Sequence, residues 1–188
     1  MNSDSQGKSA PECRSHDLFD LGAAADARAR ACSGGRGFFT MGQAVDRGPS
    51  LLRVPYAFGE SDETRLARLA EAASRLTDDA TWTGLGIVPE GEPQGLDTLQ
   101  FVAWSRLYTA ARHVVVDFAR LGPNLAQLCL GFGADELVGP VVTQRALRLG
   151  DNADNPALTR DEIIRLVNAA NLIPCERTAA GLVDVENR

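Results

Sequence analysis

Apolar positions in this chain switch between helical and strand-like spacing, and the switches mark its elements. Residues 1–15 carry few apolar side chains and predict a disordered tail. From Asp17 an alanine-rich run to Arg30 predicts a helix, with Asp17 as N-cap and Ser33-Gly34-Gly35 as its stop. Gly37–Met41 predicts a short strand, followed by a loop over Gly42–Ser50. Leu51–Tyr56 predicts a second strand, which Pro55 places at an edge or an end. Behind a Ser61 cap, Leu66, Leu69, Ala73 and Leu76 recur at helical spacing, predicting a helix over 62–76. Arg65, Arg68, Glu71 and Arg75 then fall on a solvated face.

Trp82–Val88 predicts the next strand, and Pro89–Gly95 a turn-rich loop. Asp97 predicts the cap of a helix running to Ala111, with Gln100 placed for a capping box. His113–Phe118 is continuous and β-branched, as in a buried parallel strand. Leu121-Gly122-Pro123 opens a helix whose Leu125, Leu128, Cys129 and Phe132 share one face. Ala134–Gly139 predicts the last central strand and its exit. A polar loop over 151–157 leads to the capping box Thr159-x-x-Glu162, then to Ile163, Val167 and Ala170 at helical spacing. Leu172–Arg177 adds a candidate terminal strand.

Strands alternating with helices predict an α/β fold: a partial TIM-barrel-like parallel sheet in one domain over 16–178, with 179–188 frayed. Four or five strands fall short of the eight of a closed barrel. Open sheet edges need covering, so the expected partner is a second copy of the chain or a larger barrel protein.

Composition narrows the class. With 188 residues and 44% hydrophobic content the chain can bury one core. A net charge of −6 and a pI near 4.9 argue against nucleic acid or an anionic membrane as partner. No run approaches the ~20 apolar residues of a membrane span, and the polar N-terminus lacks a signal-peptide core, so a cytoplasmic protein is expected. Cys13, Cys32, Cys129 and Cys175 form no Cys-x-x-Cys pair, and no metal site is expected. His16 and His113 have no triad or metal-ligand spacing, and His113 starts a strand at the rim opposite the functional one.

The functional rim of a parallel barrel is the C-terminal end of its strands. Asp117 falls there, as a candidate catalytic carboxylate that could hold a ligand hydroxyl or cation, or simply cap the next helix. Glu90 and Glu92 follow another strand and are candidate acid/base partners. Gly139 is a candidate cofactor-binding position where a ligand could approach the backbone; a turn before Pro140 is the alternative. Asp135 and Glu136 are adjacent and expected on opposite faces of a strand. Gly84-x-Gly86 fits a curve in a barrel better than a phosphate loop.

Several short motifs fall in order over residues 95–177: Gly95-Leu96-Asp97 with Leu99 and Arg106, Leu121-Gly122-Pro123, Ala126-Gln127, Phe132-Gly133-Ala134-Asp135-Glu136-Leu137 with Gly139, Thr159, Glu162 and Pro174-Cys175-Glu176-Arg177. With them the chain resembles the C-terminal part of the radical-SAM enzymes of the futalosine route to menaquinone and their deazaflavin-precursor synthase relatives. Leu21-Gly22 and Ala25, with the strand after them, resemble the segment that precedes the family's iron–sulfur loop. The family's Cys-x-x-x-Cys-x-x-Cys motif is absent, for Gly42–Ser50 contains no cysteine. A four-iron cluster takes three thiolates and leaves one iron open. The resemblance therefore implies a degenerate member with no cofactor of its own, an accessory or ligand-binding subunit for a small-molecule intermediate. An enzyme of other chemistry built on Asp117, Glu90 or Glu92, and a truncated remnant, are the alternatives.

Overall fold

The computed structural model describes residues 17–41, 50–142, 157–178 and 181–185. The expected tail over 1–15, the loop 42–49 and most of the 151–157 loop lie outside them. Helix α1 (Leu18–Ser33) begins where Asp17 accepts the Phe19 N–H at 3.2 Å and ends at Gly34, whose φ of 65° is the left-handed stop. Then come β1 (Arg36–Thr40), β2 (Leu51–Ala57), α2 (Asp62–Asp78), β3 (Gly84–Glu90), α3 (Gly95–Tyr108) and β4 (His113–Asp117). A short turn of helix α4 (Phe118–Leu121), α5 (Pro123–Leu130) and β5 (Glu136–Val138) follow. The chain closes with β6 (Val141–Val142), β7 (Leu158–Thr159), α6 (Arg160–Ala169), β8 (Ile173–Thr178) and β9 (Gly181–Asp184).

Seven strands form one sheet in the order β2-β3-β4-β5-β1-β8-β9. All neighbours are parallel except β8 and β9. This is the expected partial barrel-like α/β fold, with more strands than the sequence pattern suggested. Residues 181–184, expected to fray, instead pair antiparallel with β8 from Cys175↔Asp184 to Thr178↔Gly181. β6 and β7 make a separate two-stranded pair that spans the exit from β5.

The sheet has two unlike faces. Leu52, Val54, Tyr56, Leu85, Ile87, Val114, Val116, Phe39 and Leu137 point to one side and share a single core with Leu21, Leu69, Phe101, Cys129, Ile163 and Val167 from the helices. Alternate residues point to the other side: His113, Glu136, Phe38 and Arg177 among them. Phe38 and Val115 are buried there but stand outside that core. The period of two along each strand makes this division. Each fully buried Leu or Phe on the helix side contributes about 1.5–3 kcal/mol of transfer free energy.

Two expectations about caps and surface charge are corrected. α3 starts two residues before Asp97, from Gln94, with no side-chain cap. Asp97 is drawn away by Arg65, whose guanidinium is 3.0 Å from its carboxylate and also donates to the Ala57 carbonyl at 2.8 Å. Arg65, placed on a solvated face by the sequence, is 2% exposed and ties α2 to α3. Arg68 likewise binds Glu60 and the Pro55 carbonyl.

Gly133 marks a close joint between helices and sheet. Its φ is 104°, and an added Cβ would lie 2.9 Å from both Ala25 Cβ and Arg106 Cβ. Gly133→Ala should cost about 1–3 kcal/mol in urea unfolding. Gly86→Ala, whose nearest neighbour would be 3.6 Å away, should be neutral or slightly stabilising in the same assay. Equal behaviour of the two variants would remove the close-packing argument.

Candidate functional site: a charged network and cleft on the open face

Five charged or titratable side chains meet at the N-terminal ends of β4 and β5. Arg106, on α3, is 1% exposed and reaches the segments that lead into β4 and β5. Its Nε donates to the Gly133 carbonyl at 2.7 Å, one amino group to the Ala111 carbonyl at 3.1 Å, and the other to Asp135 Oδ1 at 2.8 Å. The same Asp135 oxygen accepts the Val114 N–H at 2.7 Å, and Oδ2 lies 3.0 Å from His113 Nδ1. Both oxygens of this buried carboxylate face donors, which is the condition for burying it.

Glu136 is fully buried and is clasped by Arg177 from β8, with Nε and one amino group each 2.8 Å from a carboxylate oxygen. That amino group also lies 3.1 Å from His113 Nε2. An arginine only donates, so Nε2 is an acceptor and Nδ1 carries the proton toward Asp135. Burial raises the Glu136 carboxyl above its ordinary 4.5, opposed by the Arg177 hydrogen bond and charge. Phe38 completes the group: its ring is 5.0 Å from the His113 ring, edge to face, and 4.8 Å under the Arg177 guanidinium. His113 Nε2 is thus engaged by Arg177 and is not a free base; the arrangement is a charge-balanced floor.

Asp135 and Glu136 were expected to diverge. Both instead face His113, with Glu136 Oε2 3.9 Å from Nδ1. The period-two rule holds only within a strand, and Asp135 precedes β5 by one residue. The partners Arg106 and Arg177 come from opposite ends of the matched region, and sequence spacing gave no hint of either. The available signal was the pair of acids at the mouth of a strand too apolar to carry them unpaired.

A cleft of about 590 Å³ opens beside this floor, lined by Cys32, Ser33, Arg36, Phe38, Thr83, Arg112, His113, Arg177, Leu182 and Asp184. It lies at the N-terminal ends of the strands, the rim opposite the one that carries Asp117. Arg36 and Asp184 cross it as a two-bond pair at 2.7 and 2.9 Å. None of the rim candidates lines it. Asp117 caps α4, accepting the Ala119 N–H at 2.9 Å, with Arg120 3.8 Å from its other oxygen. Glu90 and Glu92 are exposed at and just after the end of β3. At Gly139, with φ of 153°, a Cβ would lie 2.5 Å from the Phe118 ring, so a packed aromatic stands where a side chain would go.

The residues of the matched motifs therefore converge: Arg106, Gly133, Asp135, Glu136 and Arg177 form one bonded group. The chain is similar to aminodeoxyfutalosine synthase. It is 34% identical over 86 residues to the enzyme of Thermus thermophilus, a match covering 45% of this chain and 23% of that protein. With the enzyme of Streptomyces coelicolor it is 35% identical over 85 residues, 44% of this chain and 22% of that one. The match thus spans less than a quarter of either relative. No protein-family model matches the chain.

Among the described residues no group of cysteine, histidine and acidic side chains is placed to hold a metal ion. Cys129 lies in the helix-side core, where burial pushes its thiol up to about 12. Cys175 is buried in β8, and burial together with Asp184 beside it raises its thiol to about 11. Both shifts oppose the thiolate that iron requires. Cys32 is exposed at the cleft mouth, and Cys13 lies outside the described residues. Among the described residues no helix is long and apolar enough to cross a membrane.

Removing one partner of the floor leaves a buried charge behind. Arg177→Met should cost about 3–5 kcal/mol at neutral pH, and adding Glu136→Gln to it should restore a substantial part. Glu136→Gln alone tests the pH sign. A carboxyl with a raised folded value contributes stability that is complete below the unfolded value near 4.5 and is lost as pH climbs through the folded one. The variant should therefore gain on wild type as pH rises through that window in urea titrations. A constant difference across pH would refute it.

Proposed function

We propose that this chain is an accessory or ligand-binding relative of the futalosine-pathway enzymes, working without an iron–sulfur cluster of its own. The observation that carries this reading is the disposition of thiols: one sealed in the helix layer, one sealed in β8, and no cysteine in residues 42–50 beyond β1. What remains is the matched scaffold and an open polar cleft. Small molecules bind in such concave sites lined by a few placed polar groups. The open β2 edge, with exposed Arg53 and the donor-less Pro55, and the half-exposed Leu182 and Val183 of β9 fit completion of the sheet by a second copy or by a larger barrel protein.

Anaerobic reconstitution with iron and sulfide should leave no stoichiometric thiolate-to-iron absorbance. Aminodeoxyfutalosine, added to the full chain, should raise its melting temperature in a saturable way. A bound cluster would return the chain to radical chemistry. No response to aminodeoxyfutalosine, together with no co-elution with an aminodeoxyfutalosine synthase, would end the pathway reading.

A further inference from the structure

The cleft carries a charge pattern that specifies its ligand more closely. Arg36 is matched by Asp184 and Arg177 by Glu136, each through two hydrogen bonds. Arg112, immediately before β4, makes no side-chain hydrogen bond or ion pair among the described residues, so one positive charge lining the cleft is left over. A second observation points the same way. Ser33, the last residue of α1, also lines the cleft; it is 8% exposed, and its Oγ has no hydrogen-bond partner among the described residues. A buried hydroxyl without a partner costs stability unless something else satisfies it.

We propose that the cleft binds a monocarboxylate ligand, its carboxylate held by the Arg112 guanidinium and the Ser33 hydroxyl. The proposal rests on the ligand-binding reading above and names the ligand class. One surplus charge suits a monoanion, whereas a phosphate dianion would bring a charge that the lining does not match. The planar fork of an arginine accommodates a carboxylate through two parallel bonds. The Ser33 hydroxyl, unpartnered in the same lining, is the second donor to that carboxylate. Leu182, half exposed on β9, supplies an apolar wall for the chain of the ligand.

The test uses the full chain with three probes: hexanoate, the uncharged hexanamide and inorganic phosphate, followed by melting temperature and NMR titration. Hexanoate should bind saturably, and the other two should not. Arg112→Gln should weaken hexanoate by about tenfold or more, and Ser33→Ala by about threefold. Both variants should melt no lower than wild type without ligand, since Arg112 is exposed and the Ser33 hydroxyl has no bond to lose. No response to hexanoate, an equal response to hexanamide, a stronger one to phosphate, or undiminished binding in Arg112→Gln would overturn the proposal. Hexanoate binding through Arg112, with neither a response to aminodeoxyfutalosine nor co-elution with an aminodeoxyfutalosine synthase, would keep this site and remove the pathway reading. The reverse would remove this site alone.

Discussion

Asp135 is the hinge of the structure. One of its oxygens accepts both the Arg106 guanidinium and the Val114 N–H, and the other faces His113. These bonds tie α3, β4 and the entry to β5 together at a point shielded from water. A carboxylate and a guanidinium that are each 1% exposed are strongly destabilising when separated, by about 3–5 kcal/mol for loss of one partner. The pairing of β4 with β5, and the placement of α3 behind them, follow from keeping these groups matched. Gly133 has to be a glycine for the same reason: its carbonyl receives Arg106, and its Cα lies against that side chain.

Glu136 and Arg177 extend this constraint across the sheet. β1 lies between their strands, and Phe38 from β1 packs against both the guanidinium and the imidazole. The open face is thus assembled from charges that neutralise one another, where the helix face is assembled from hydrocarbon. A face of this kind tolerates solvent and can hold a polar ligand. The cleft beside it lies at the strand entrances instead of the strand exits.

The matched motifs acquire a physical meaning here. Asp97 holds Arg65, Arg106 and Asp135 bond directly, and Glu136 holds Arg177. Thr159 and Glu162 make a reciprocal capping box at the start of α6. Resemblance over this stretch reports a bonded scaffold. The cluster chemistry that the resemblance implies belongs to the segment after β1, which has no cysteine here.

The elements themselves were legible in the residues, because periodicity and caps are local. Asp17, Ser61 and Thr159 each cap the helix expected of them, and the unbroken His113–Val116 run is a buried strand. The α/β class followed from their alternation. Strand order was not legible: β1 inserts between β5 and β8, a choice made by packing between residues far apart in the chain. β9 escaped notice because four exposed residues carry no burial pattern, and pairing with β8 alone defines them. The rim candidates Asp117 and Gly139 were placed correctly at a strand end and exit, but a local cap and the Phe118 ring account for their surroundings. The network of Arg106, His113, Asp135, Glu136 and Arg177 was invisible for one reason. Charges 41 residues apart can satisfy each other only once the sheet has brought them to 2.8 Å, and no spacing rule along the chain encodes that meeting.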